Sequence, residues 1–301
     1  MVKKSLSVFD IFSGIGGFSL GLEKAGMQTV AFCEINPFCQ KILKKHWKSV
    51  PVFSDVTALT KEDFTSLPKI DVIAGGFPCQ DISCAGKQIG ISGKRSGLWK
   101  EFRRLIDAIK PSYAIIENVA NLRSKGLITV LQDLWEIRYN AEWHCIPASA
   151  FGAPHRRDRI WIIAYPCCIS KNRLPCGKKE RQSVFRDDCK NATNTNSQRL
   201  QGHGGFEEIS PICKQEQISL YYRTRGIEQW GAEPESIPRL KDDRLNPDWV
   251  EWLMGFPSSW TEDGSRRQRL MALGNAVVPL IPEFLGAAIM NLLMKLVGKK
   301  H

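Results

Sequence analysis

Leu6-Ser7-Val8-Phe9-Asp10-Ile11-Phe12-Ser13-Gly14-Ile15-Gly16-Gly17-Phe18 is an apolar run that breaks into a glycine-rich turn. Leu6 to Phe12 reads as a strand, and Ser19 to Ala25 reads as a helical run closed by Gly26. Strand, glycine turn, helix is the unit that lets backbone N–H groups and a helix N-terminus approach a polar ligand. It predicts an α/β fold with a ligand at the turn. The spacing is not G-x-G-x-x-G, because Gly14, Gly16 and Gly17 are followed by Phe18. That argues against a nicotinamide oxidoreductase.

The same alternation continues along the chain. Thr29 to Cys33 reads as a second strand ending at Glu34, and an acid there is placed either to bind ribose hydroxyls or simply to face water. Asn36-Pro37 supplies an N-cap and a first helical position for a helix to about Trp47. Val52-Phe53 is a short third strand near Asp55, whose carboxylate can accept from an adenine amino group or cap the next turn. Ile70 to Ala74 is a fourth strand. It leads into Gly75-Gly76-Phe77-Pro78-Cys79-Gln80, where a cysteine leaves a strand end inside a Gly/Pro turn. Such a thiol is a candidate nucleophile if its surroundings stabilise a thiolate, and otherwise a small buried hydrophobe.

Residues 81–98 lose all periodicity and are rich in Gly, Ser and basic residues, which suits a lid that closes over phosphates. Trp99 to Lys110 reads as an amphipathic helix ended by Pro111. Tyr113 to Ile116 is a fifth strand running into Glu117-Asn118-Val119, and Leu127 to Tyr139 a further helix. Sites in open α/β sheets lie outside the carboxyl ends of strands, so Gly14, Glu34, Cys79 and Glu117 are expected on one rim. His155-Arg156-Arg157-Asp158-Arg159 precedes a strand from Ile160 to Tyr165, and alternation would put Arg157 and Arg159 on one face.

Beyond Pro166 the pattern fades. Residues 170–225 hold 11 Lys/Arg against 6 Asp/Glu, and 191–199 form a polar loop suited to base edges, so a second, smaller irregular domain is expected. Its cysteines lack a C-x-x-C pair, and no metal is expected. Pro247 to Met254 reads as a short helix stopped by Gly255 and Pro257, and about Ile281 to Leu296 as a final apolar helix. The chain of 301 residues carries a net charge of +11, which favours an acidic partner such as nucleic acid. No apolar run is read as long enough to span a membrane and no signal peptide is visible. The ten scattered cysteines are expected as reduced thiols, all of which points to a cytoplasmic protein.

Together these pieces resemble the DNA cytosine-5 methyltransferase family of bacterial and phage modification enzymes. The likeness rests on Phe9 to Gly17, Glu34, Gly75 to Gln80 with Ser83, Glu117-Asn118-Val119, Arg157-Asp158-Arg159 and Gly274-Asn275-Ala276-Val277, in the family's order. It covers about residues 6–165 and 244–290; His155 stands where the family usually has Gln. It implies a Rossmann-like S-adenosylmethionine-dependent methyltransferase sheet in residues 1–165, a target-recognition domain in 166–243, and a return segment in 244–301 whose helix packs on the catalytic domain.

The resemblance also implies roles. Cys79 would attack carbon 6 of a flipped-out cytosine and Glu117 would hold a proton at N3. Asn118 would orient Glu117 or the loop, and Arg157 and Arg159 would position the ring oxygen and the backbone. Phe12, Gly14, Ile15, Gly16, Gly17 and Phe18 would hold the cofactor from the first turn. Glu34, Ile35, Asp55 and Val56 would meet its ribose and adenine, and Gly75, Pro78, Leu98, Asn275, Ala276 and Val277 would close around it. Gln80, Ser83, Lys87, Arg95 and Arg199 would contact double-stranded DNA. A monomer is expected, with a cognate restriction endonuclease as a partner in the cell. The rival readings are a tRNA cytosine-5 methyltransferase on the same scaffold and a catalytically silent DNA-binding protein. The silent protein would be expected to lack Cys79, Glu117 or Arg159, and all three are present.

Overall fold

The computed structural model describes residues 5–78, 97–167 and 222–298. Contacts divide the chain into two units, Met1–Pro166 with Ile212–His301, and Cys167–Pro211. Apart from Cys167 the second unit lies outside the described residues. The first unit contains strands β1 (Ser7–Ile11), β2 (Gln28–Cys33), β3 (Val52–Phe53), β4 (Val72–Gly76), β5 (Tyr113–Val119), β6 (Tyr139–Pro147) and β7 (Asp158–Pro166). They form one sheet in the order β3-β2-β1-β4-β5-β7-β6. Neighbours from β3 to β5 run parallel, and β7 lies antiparallel between β5 and β6.

The sheet order reverses between β1 and β4, and the site lies at the carboxyl ends around that point. Helices α1 (Gly17–Lys24), α2 (Pro37–His46), α3 (Leu98–Ile109), α4 (Leu122–Lys125) and α5 (Leu127–Glu136) connect the strands. Asn36 caps α2 by accepting from the amides of Phe38 and Cys39, as its sequence predicts. One strand of this sheet escapes the sequence pattern. The helix expected to reach Tyr139 stops at Glu136, Arg138 turns the chain at φ 70°, and Tyr139 begins edge strand β6. Its residues are mostly half-buried, so no clean period-two signal exists to find.

Alternating strand residues feed two apolar layers. Val8, Val72, Ala74, Ile115, Trp161 and Ile163 face one layer with α1. Phe9, Ile11, Ile73, Ile116, Ile160 and Ile162 face the other, where α3 supplies Trp99, Phe102, Leu105 and Ile106. Burying each of these large side chains stabilises the fold by roughly 1.5–3 kcal/mol. The first layer is completed by the carboxyl-terminal half of the unit through α6 (Ile227–Trp230), α7 (Pro247–Met254), α8 (Arg266–Asn275) and α9 (Leu280–Gly298), while the hairpin β8 (Leu240–Lys241) and β9 (Arg244–Leu245) is exposed.

Helix α9 packs on α1 through small residues. A Cβ on Gly21 would stand 2.1 Å from the Pro279 carbonyl, and one on Gly286 would stand 2.9 Å from Ala25 Cβ. Backbone cannot yield as a side-chain tip can, so Gly21→Ala is expected to destabilise by about 3 kcal/mol. A urea midpoint within experimental error of the parent would contradict this packing. The apolar content of this region corrects the expectation that nothing here reaches membrane-spanning length. A window within 266–294 has a mean hydropathy of 1.8, enough by length and composition to cross a membrane. In the fold 67% of that window is buried inside the molecule, with Leu285 and Ile289 fully enclosed.

Candidate active site

The β1–α1 turn is built from three residues in left-handed conformations: Phe12 (φ 53°), Gly14 (φ 53°) and Gly16 (φ 83°). Nothing lies within 4 Å of where a Cβ on Gly14 would stand, so the turn faces open space. Beneath it, Asp10 is fully buried and accepts from the backbone N–H and hydroxyl of Ser19, 3.2 and 2.8 Å away. Burial pushes the Asp10 carboxyl well above the usual carboxylate range. Asp10 thereby ties the first turn of α1 to β1.

Glu34 stands at the end of β2, 9% exposed. One carboxylate oxygen accepts the Gly14 N–H and the other the Asn36 N–H, both at 2.7 Å. Burial raises its carboxyl, and the amides of Asn36 and Gly14 pull it partly back. Gln40, a residue the sequence reading passed over, donates to the Glu34 carbonyl at 2.7 Å and fixes the strand end. Ile35 is 74% exposed beside it, an apolar face on the rim. Asp55 accepts from the Thr57 amide and hydroxyl at 2.8 and 2.7 Å, so of its two expected tasks the cap is the one observed. Val56 is buried, and its carbonyl accepts from Arg104.

Ile15 and Phe18 are core residues, with the Phe18 ring 5.5 Å from Trp161 and the Ile15 carbonyl accepting from Trp260 Nε1. Phe12 is half-buried against Phe102. Gly17 faces Val277, whose Cγ2 would lie 2.9 Å from an added Cβ. Ala276 and Val277 are buried, while Asn275 is exposed at the end of α8. Leu98 and Pro78 are half-buried.

The second cluster is carried by β4, β5 and β7. Glu117 pairs in register with Gly76, and Arg159 pairs with Val119, two residues along the same face of β5. That diagonal brings Arg159 Nε to 2.9 Å from Glu117 Oε1. A Cβ on Gly76 would stand 2.6 Å from Glu117 Oε2, and one on Gly75 would stand 2.1 Å from the Ile11 carbonyl. Two adjacent glycines at a strand end, neither needing a positive φ, are therefore demanded by close approach. Burial raises the Glu117 carboxyl despite the guanidinium groups of Arg159 and Arg157. Asn118, on the opposite face, is 1% exposed and donates to the Phe77 carbonyl at 3.0 Å, which fixes the exit of β4.

Arg157 also acts on the Glu117 carboxyl through its charge. It precedes β7 in a left-handed conformation (φ 35°), and its Nη2 donates to the carbonyls of Gly274 and Ala276 at 3.0 and 2.6 Å. The strand itself begins at Asp158. His155 contacts the Leu253 carbonyl through Nε2 at 3.0 Å. Cys79, Gln80, Ser83, Lys87, Arg95 and Arg199 lie outside the described residues.

The two clusters share a rim and differ in chemistry. The first presents backbone N–H groups, a carboxylate and an exposed apolar side chain, a set that fits a nucleoside carrying a charged tail. The second presents a partly buried carboxyl of raised proton affinity beside a guanidinium. Residues 6–291 match the family described as C-5 cytosine-specific DNA methylase. The type II methyltransferase M1.ScrFI of Lactococcus lactis subsp. cremoris is 35% identical over 303 residues, covering 91% of this chain and 75% of its own. The type II methyltransferase M2.BsuMI of Bacillus subtilis is 28% identical over 316 residues, covering 93% and 74%. A solved structure from an E. coli prophage, a candidate DNA modification methyltransferase, matches with a TM-score of 0.63 and 22% identity over 96% of this chain and 99% of that one. At that identity the structural match speaks for the fold alone.

Proposed function

Because the chain belongs to the C-5 cytosine-specific DNA methylase family, we propose that it methylates carbon 5 of cytosine within a specific duplex sequence, through a covalent adduct of Cys79 with a flipped-out base. The protein is a DNA cytosine-5-methyltransferase, and S-adenosylmethionine is its methyl donor. The observation that carries the mechanism is the Glu117 carboxyl, seated over Gly76 and against Arg159 at the end of β5. Cys79 follows Pro78 by one peptide, just past the strand exit that Asn118 holds.

Carbon 5 of cytosine is too weak a nucleophile to accept a methyl group unaided. Addition of the Cys79 sulfur at carbon 6 breaks the ring conjugation and places electron density on carbon 5. Glu117 holds a proton at N3, so the adduct forms without a ring anion. Arg159 keeps the carboxyl oriented and contacts the base. The bound cofactor supplies an electrophilic methyl group. Loss of the carbon 5 proton and expulsion of the Cys79 thiolate then restore the aromatic ring. Glu34 takes the ribose, Ile35 covers the adenine, and Asn275 to Val277 close from the carboxyl-terminal side. A base within a duplex is out of reach, so it is extruded. Residues 81–98 close over it and residues 166–243 read the sequence.

The supporting experiment maps 5-methylcytosine in DNA from cells expressing the chain, and compares duplex DNA with tRNA as methyl acceptors in vitro. Methylation of tRNA with none of DNA would overturn the reading. A cytoplasmic monomer, protecting DNA against a cognate endonuclease, is the setting that fits it. Glu34→Ala is expected to raise the cofactor KM by about 10- to 100-fold, with a smaller fall in kcat. An unchanged KM would remove the ribose role.

A further inference from the structure

The geometry points to a task for Arg157 other than holding the target base: we propose that it is a positioning residue whose guanidinium holds the Gly274-Asn275-Ala276 turn where the cofactor meets it. This rests on the reading that Asn275 to Val277 line the cofactor. Nη2 of Arg157 donates to the carbonyls on both sides of Asn275, Gly274 at 3.0 Å and Ala276 at 2.6 Å. Gly274 and Asn275 are the last residues of α8, where carbonyls have no intrahelical donor ahead of them and a cation is favourably placed. Both residues are exposed, so the packing around them does not hold the turn by itself. Val277, next in the chain, reaches across to Gly17 of the first glycine turn. Arg157 therefore grips the far wall of the cofactor site from behind.

The backbone supports this assignment. Arg157 sits at φ 35°, a conformation that long side chains rarely adopt. The Ala148 N–H lies 2.8 Å from the Arg156 carbonyl and 3.4 Å from the Arg157 carbonyl, which holds the turn in that shape. The charges of both arginines reach the Glu117 carboxyl, but only Arg159 pairs with it directly, while Arg157 spends its hydrogen bonds on the Gly274 and Ala276 carbonyls.

The test titrates S-adenosylhomocysteine into the full-length protein without DNA, by calorimetry, and pairs it with steady-state methylation. Arg157→Met is expected to weaken S-adenosylhomocysteine about 10-fold or more, and to raise the cofactor KM in parallel. Its kcat at saturating cofactor is expected to fall by less than about 3-fold, whereas Arg159→Met lowers kcat about 100-fold and keeps the affinity. Arg157→Lys, able to reach one carbonyl, is expected to fall between parent and Arg157→Met. Asn275→Ala reports on the cofactor placement itself and is expected to weaken binding. If Asn275→Ala weakens binding and Arg157→Met does not, the staple is wrong. If Asn275→Ala binds like the parent, the placement beneath it is wrong. If Arg157→Met loses its cooperative melt, Arg157→Lys decides, and parental affinity in that variant overturns the proposal.

Discussion

Cys79→Ala is expected to leave methyl transfer at least about 10,000-fold below the parent while duplex DNA still binds. The chemistry leaves no bypass. Without a sulfur adding at carbon 6, carbon 5 keeps its aromatic character and cannot displace the methyl group of S-adenosylmethionine. Contacts to the phosphate backbone are expected from other residues and should survive the change. Transfer of tritiated methyl groups and a gel-shift titration on one preparation check both halves. Turnover within 10-fold of the parent would remove Cys79 as nucleophile, and loss of DNA binding alongside turnover would make its role structural.

The second large effect concerns the carboxyl. Glu117→Gln preserves shape and a hydrogen-bonding tip but cannot exchange a proton with N3, so kcat is expected to fall by about 100- to 10,000-fold. The pH profile separates this loss from a disturbance of the fold. Burial raises the Glu117 carboxyl above the ordinary glutamate range, and the pull of Arg159 and Arg157 does not cancel that push. The protonated form is the active donor, so activity controlled by this group is present at low pH and lost as pH rises through the raised value. That descending limb should lie at higher pH than a free glutamate would place it, and it should vanish from the residual activity of Glu117→Gln. A variant with an intact limb would assign the limb to another group.

The parallel strands and the helices between them were readable because each carries a single signal. β1, β2 and β4 are short apolar runs bounded by Gly, Pro or an acid, and Asn36 and Pro37 spell the start of α2. The rim residues Gly14, Glu34 and Glu117 were readable for the same reason, since strand ends in such sheets point at the site. What sequence could not supply was partnership. The Glu34 carboxylate accepting from the Gly14 amide, Gly76 vacating the space over Glu117, and Asn118 holding Phe77 all join residues remote along the chain. The hold of Arg157 on the Gly274 and Ala276 carbonyls is likewise a partnership that no local pattern announces. β6 was missed because a half-buried edge strand has no period to detect.

The contact of α9 with α1 carries a consequence for synthesis on the ribosome. Residues 17–24 emerge long before residues 280–298, yet Gly21 and Gly286 show that each helix needs the other against its small-residue face. The β1–α1 turn thus lacks its backing until late in translation. That support arrives only when the returning helix docks.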